Sequence, residues 1–146
     1  MSDAFDALGA LGQNVPYSYA GPTAEMLETF LNPALGREYS VIFSSPEFTA
    51  VCPVTGQPDF YTVKIAYAPQ ARCVESKSAK LYLGAFRQEG MFIEALANRL
   101  LDDWWTALSP NRLAVVLKMA PRGGIAIKVR VYRHVAARPP YGVGDV

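Results

Sequence analysis

Between residues 38 and 135 the period of the hydrophobic pattern changes twice, from two residues to about 3.6 and back to two. Glu38 to Ser44 alternates, with Tyr39, Val41 and Phe43 on one face. Phe60 to Ala68 alternates again, with Tyr61, Val63, Ile65 and Tyr67 together. Ser76 to about Arg87 then reads as a helix with Leu81, Leu83 and Phe86 apolar, and Gly90 breaks it. Met91 to Leu108 is the strongest helical signal, since Phe92, Ala95, Leu96, Leu100, Trp104 and Leu108 recur at three- and four-residue steps; Pro110 stops it. Leu113 to Met119 is a nearly continuous apolar run, as in a strand buried on both faces. After a Pro121-Arg122-Gly123-Gly124 turn, Ile125, Ile127, Val129 and Val131 alternate with Ala126, Lys128, Arg130 and Tyr132. The order ββααββ implies an α+β domain: an antiparallel sheet with both helices on one face.

Such a sheet has two open edges, and open edges invite pairing between chains. A ring that joins the edges into a barrel is therefore expected, with a monomer protected by charged edge strands as the alternative. Outside the 38–135 domain, residues 1–37 read as a loosely structured arm with a short helix from Pro22 to Leu31, and residues 136–146 as a flexible Pro-rich tail. Ser45 to Pro58 holds three prolines and a glycine and reads as a long loop.

Composition excludes several classes. With 51% hydrophobic and 18% charged residues the chain is not disordered, and a net charge of +1 excludes a nucleic-acid binder held by bulk charge. Two cysteines and one histidine leave neither a disulfide framework nor a Cys/His zinc site, so no metal is expected. No secretory pattern and no apolar run of ~20 residues is present, so the expectation is a cytoplasmic protein, off the membrane, with reduced thiols.

The spacing leaves two readings of each polar candidate. Cys52, just before Pro53, with Asp59 seven residues on, is either a nucleophile with a nearby proton donor or a structural cysteine and a turn aspartate. Glu75 either marks a helix start or belongs to a site. Glu94 either faces solvent or is an anchor accepting two N–H donors, the pair that guanine-like and pterin-like bases present. Lys77, Lys80 and Arg122 either hold a phosphorylated ligand or form a solvated face, and Gly123 and Gly124 permit close approach of the backbone. No GxGxxG follows a strand, so a dinucleotide would not bind in the Rossmann manner.

Three segments taken together carry a resemblance. They are Pro46-Glu47-Phe48-Thr49-Ala50-Val51-Cys52-Pro53-Val54-Thr55-Gly56-Gln57-Pro58-Asp59-Phe60, Val74-Glu75-Ser76-Lys77-Ser78-Ala79-Lys80-Leu81-Tyr82-Leu83 and Pro121-Arg122-Gly123-Gly124-Ile125. With Leu11-Gly12, Tyr17, Pro22 and Leu27-Glu28-Thr29-Phe30 in the arm, the chain resembles the NADPH-dependent 7-cyano-7-deazaguanine reductases, the short nitrile reductases of queuosine biosynthesis, over nearly its whole length. That resemblance implies the tunnel fold, a homo-oligomer of two stacked pentamers with strands joined between subunits, and active sites between subunits. It implies that Cys52 attacks the nitrile carbon to give a thioimide, that Asp59 supplies protons, and that NADPH reduces the thioimide to the aminomethyl base. It assigns Val74, Glu75, Ser76, Ile93 and Glu94 to the substrate, and Lys77, Lys80, Arg122 and Gly123 to the cofactor. No direct nucleic-acid contact is expected.

One segment departs from that pattern. The family usually reads Phe-Arg-Asn-His-Gly-x-Phe-His-Glu, and here Phe86-Arg87-Gln88-Glu89-Gly90-Met91-Phe92-Ile93-Glu94 places Glu89 and Ile93 at the two histidine positions. Two alternatives share the scaffold: an archaeosine-forming amidinotransferase that needs no NADPH, and a deazapurine binder without turnover. A pterin cyclohydrolase of the same fold would need metal ligands that the chain lacks.

Overall fold

The computed structural model describes residues 5 and 7–135. The expected tail, 136–146, lies outside the described residues. Four long strands, β2 (Val41–Val51), β3 (Pro58–Ala68), β5 (Arg112–Arg122) and β6 (Ile125–His134), form an antiparallel sheet in the order β2-β3-β5-β6. Between β3 and β5 lie α1 (Ser76–Gly84), a 3-10 turn over Ala85–Gln88, and α2 (Ile93–Leu108). The ββααββ order read from the periodicity is the order observed. Two short strands, β1 (Thr29–Leu31) and β4 (Arg72–Val74), add a small antiparallel pair.

The core lies between one face of the sheet and the helices. Tyr61, Val63, Ile65 and Tyr67 of β3 and Leu113, Val115 and Leu117 of β5 meet Ile93, Leu96, Ala97, Leu100 and Trp104 of α2. Trp104 is fully buried, with Phe43 edge-on at 5.1 Å and Tyr67 at 6.2 Å between ring centroids. α1 packs on the same face, since its Ala79 and Leu83 line one cavity with Val63 and Ile65. β5 is buried on both faces from Arg112 through Leu117, as its apolar run predicts.

Three expectations need correction. The strand β2 does not end at Ser44 but runs to Val51, taking up Ser45, Pro46 and Glu47 in a register shift between Ser45 and Phe48. β2 is an edge strand, where a proline costs no ladder bond if its missing N–H faces outward. The loop is therefore only residues 52–57, which puts Cys52 at a strand end. The arm holds a 3-10 turn (Ala24–Met26) rather than a helix to Leu31, because Thr23 makes no capping bond and Thr29–Leu31 pairs with Arg72–Val74. Finally, α2 begins at Ile93, so Phe92 and Ala95 lie on the exposed side and the buried stripe starts one residue later than the spacing suggests.

The closing hairpin turns on Gly123 and Gly124, both at positive φ (57° and 77°), as a two-residue primed turn requires. No helix among the described residues is long and apolar enough to cross a membrane. Leu100→Ala, at a fully buried site in the centre of α2, is expected to destabilise the fold by about 2–5 kcal/mol. Urea unfolding of the variant checks this: the midpoint falls while the slope stays constant.

Candidate active site

The end of β2 is tied down from both sides. Val51 N–H donates to the Glu89 carbonyl (3.0 Å), and Met91 N–H donates to the Val51 carbonyl (3.2 Å). These bonds lock the strand end beside Gly90, three residues before α2 begins. A Cβ at Gly90 would meet the Pro53 Cα at 3.4 Å, so the Cys52-Pro53 turn lies directly against the approach to α2. The turn closes on itself through Cys52 N–H to the Gln57 carbonyl (2.8 Å) and Gly56 N–H to the Cys52 carbonyl (2.9 Å).

Inside that turn the Cys52 thiol is held below its ordinary range. The Thr55 hydroxyl is the largest cause, followed by the backbone N–H groups of Thr55 and Val54; burial and the Asp59 charge oppose it. Hydrogen bonds to sulfur favour the thiolate, which is the nucleophilic form. Cys73 is of the other kind. It is buried, with its sulfur 3.6 Å from the Tyr39 hydroxyl.

Asp59 stands opposite Ala50 in the β2–β3 register and is only 6% exposed. Its carboxylate pairs with the Arg122 guanidinium, which also donates to Gln57 Oε1 at 3.4 Å. Arg122, expected to contact a cofactor phosphate, is thus placed on Asp59 in the isolated chain. A cavity of about 320 Å³ opens beside the pair, lined by Gln57, Pro58, Phe60, Ala120 and Pro121. Gly123 begins the hairpin turn immediately after Arg122.

A second group gathers at α1. Glu75 is buried as its N-cap: Oε1 accepts from Lys77 N–H (2.7 Å) and the Ser76 hydroxyl (3.3 Å), and Oε2 accepts from Ser78 N–H (2.8 Å). Glu75 thus marks the start of α1. Val74 is buried beside it, its N–H donating to the Tyr67 hydroxyl at 3.0 Å. Lys77 donates to the Gln13 carbonyl, and Lys80 lies over the Tyr17 ring at 5.4 Å. Arg87 lies 5.4 Å over Tyr19, which stacks on Tyr17 at 6.0 Å. A cavity of about 390 Å³ here is lined by Ser44, Ser45, Ser76, Lys80, Arg87 and the two tyrosines. Cations, hydroxyls and flat rings around one cavity are the donor set that a phosphorylated nucleotide asks for.

At the start of α2 the two predicted residues part. Glu94 is exposed, while Ile93 is 4% exposed and packs in the core. The β-branched Ile93 side chain thus belongs to the sheet–helix interface. Among the described residues no group of His, Cys, Asp and Glu could hold a metal ion.

Asp59 and Arg122 pair directly, Cys52 opens the turn between β2 and β3, and the charges of these three and of Glu94 all act on one phenol, Tyr61. The structure does not bring Val74, Glu75, Ser76, Lys77 and Lys80 into the Asp59 cavity; in a single chain Ser76 and Lys80 line the other. Sequence reasoning missed Thr55, Tyr61 and Arg87. Thr55 was detectable as the hydroxyl three residues after Cys52 in a Pro/Gly turn; Tyr61 was hidden in the core alternation.

Comparison with known proteins follows the same lines. The profile of the QueF-like protein family matches residues 58–138. An NADPH-dependent 7-cyano-7-deazaguanine reductase of Nitratidesulfovibrio vulgaris (strain DP4) is 45% identical over 138 residues, 94% of this chain and 84% of its own length. The protein of the same name from Anaeromyxobacter sp. (strain K) is 54% identical over 99 residues, 68% of this chain and 81% of its own. Among solved structures, the apo form of the archaeosine synthase QueF-Like superposes with a TM-score of 0.60 at 22% identity, over 64% of this chain and 91% of that one. That likeness shows the fold, the tunnel fold expected from the sequence. Matched in profile over more than half its length and at 45% identity over nearly all of it, the chain belongs to the QueF-like family.

Proposed function

We propose that the protein is an NADPH-dependent nitrile reductase that converts 7-cyano-7-deazaguanine to 7-aminomethyl-7-deazaguanine in queuosine biosynthesis. The carrying observation is the Cys52 turn, whose hydroxyl and amide donors lower the thiol pKa beside the buried Asp59. Relatives 45–54% identical carry the matching name. The Cys52 thiolate attacks the nitrile carbon; the C–S bond forms as one C–N π bond opens, and the nitrogen takes a proton. That makes a reducible thioimide from a poor hydride acceptor. Asp59 is the proton source that the family resemblance assigns. The C–S bond breaks during reduction and returns the thiolate. Bound NADPH supplies the two hydrides, so two are used per nitrile.

Lys77 and Lys80 are the residues proposed to hold the cofactor phosphates, with the rings of Tyr17 and Tyr19 beside them. Their present partners, a carbonyl and a ring of the arm, are exposed contacts of the kind a diphosphate can displace at small cost. Arg122 joins them by exchanging Asp59 for a phosphate. Glu94, exposed at the start of α2, grips the base, with Val74, Glu75 and Ser76 contributed from the start of α1. Since Asp59 and Ser76 line different cavities of one chain, the site is completed between subunits of a ring, here two stacked pentamers. The open edges of β2 and β6 are the surfaces that such a ring would pair. The reaction belongs in the cytoplasm, where the cofactor and reduced thiols are found.

Three outcomes are expected. Purified protein given 7-cyano-7-deazaguanine oxidises two NADPH per nitrile, and Cys52→Ala loses both turnover and the mass adduct. An adduct without NADPH oxidation or NADPH binding would favour the amidinotransferase instead. Thr55→Val removes the largest stabiliser of the thiolate, so alkylation of Cys52 by iodoacetamide slows severalfold at neutral pH and its rate profile moves to higher pH. Buried Cys73 stays unreactive as the internal control. Native mass spectrometry is expected to find ten chains per particle; a monomer would remove the shared-site reading.

A further inference from the structure

We infer that the Tyr61 hydroxyl is a catalytic proton donor to the nitrile nitrogen, acting alongside Asp59. This rests on the nitrile-reductase reading above and adds a residue to it. Tyr61 follows Asp59 by two positions on β3, so both side chains leave the same face of the sheet. In the register, Asp59 faces Ala50 and Tyr61 faces Phe48, on the strand whose end carries Cys52. The Tyr61 ring is packed in place: the residue is 2% exposed, and its centroid lies 5.9 Å from that of Phe48.

The tip is different from the ring. Among the described residues, every other buried tyrosine has a partner for its hydroxyl: Tyr67 accepts from Val74 N–H, and Tyr82 donates to Asp103. Tyr61 makes no such bond, yet it is not among the fully buried polar atoms without a partner, of which Trp104 Nε1 is the one found. Its small exposed remnant is therefore available at the hydroxyl. The charges that reach this phenol are those of the candidate site. Burial, Asp59, Cys52 and Glu94 push it up and Arg122 pulls it down, leaving it at about 12. It therefore stays a neutral O–H donor throughout the working range.

The other groups do not supply one as readily. Until the cofactor draws Arg122 away, Asp59 is paired with it; Cys52 is held toward the thiolate, and the Ile93 side chain presents only carbon. When sulfur bonds to the nitrile carbon, the electron pair of one C–N π bond localises on nitrogen. Tyr61 gives that nitrogen its proton, and the phenolate is reprotonated from solvent. The proton released to solvent when Cys52 ionised balances the one taken back, so thiol plus nitrile gives thioimide with no other reactant. A positioned general acid contributes typically 10²–10⁴-fold.

The test is Tyr61→Phe, which keeps the ring and its packing on Phe48. Two reactions of Cys52 are timed by intact mass, without NADPH: adduct formation with 7-cyano-7-deazaguanine and alkylation by iodoacetamide. Alkylation expels iodide and needs no proton donor. The expected result is adduct formation slowed about 100-fold with alkylation changed less than about twofold. An unchanged adduct rate, or an equal loss in both reactions, overturns the assignment. If the unsubstituted protein forms no adduct at all, the nitrile-reductase reading fails instead, so the two failures are distinguishable.

Discussion

The pairing register of β3 governs both the core and the site. Its odd-numbered residues, from Asp59 through Tyr67, all leave the face that the helices cover. Three of them, Val63, Ile65 and Tyr67, supply the apolar floor on which α2 packs. The first two, Asp59 and Tyr61, ride on the same parity and are carried into the end of that layer beside the Cys52 turn. A slip of one residue would send Thr62, Lys64 and Ala66 into the core and expel the carboxylate with the aliphatics. The apolar residues thus hold Asp59 buried, which its own chemistry would not favour. Site and core are not separable in this strand.

This coupling explains what could be read in advance. Strong periodicity made β3, β5, β6 and α2 legible, because burial on a sheet or helix imposes a period on the sequence. Pro46 misled the reading of β2, since a proline argues against a strand only where both edges are paired, and β2 has one free edge. The small β1–β4 pair was illegible because its strands are three residues each and lie far apart in sequence. At the site, Cys52 and Asp59 stood out by residue type and spacing. Tyr61 did not, for it occupies the same parity as Tyr67, and only the partner of each hydroxyl separates them. Periodicity reports where a ring goes and is silent about what its tip meets.

The cations show a related limit. Lys77, Lys80 and Arg122 were grouped as phosphate contacts, yet each already has a neighbour in the chain: a carbonyl, an aromatic ring and a carboxylate. These are not equivalent. The contacts of Lys77 and Lys80 come from residues 13–17 of the arm, so releasing them moves a peripheral segment. Arg122 is half-exposed but its partner Asp59 is buried, so releasing it strips a buried carboxylate of its countercharge. Cofactor binding through Arg122 is therefore tied electrostatically to the reacting end of the site, while binding through the lysines is tied to the arm.

The rim of the Cys52 turn extends the argument to the assembly. Val54, Phe60 and Phe92 are each more than half exposed, and Phe60 lines the cavity beside Asp59 while Phe92 caps the start of α2 next to Glu94. Apolar side chains so exposed are costly to leave in water, at roughly 25 cal/mol per Å² of apolar surface. A reaction that protonates nitrogen in competition with bulk water also gains from a dry site. Both demands are met by covering the same rim. A neighbouring subunit that covers it would bury the aromatics, dry the thiolate and bring its own polar groups toward Glu94, so the feature that makes the lone chain look incomplete is the one the proposed chemistry requires.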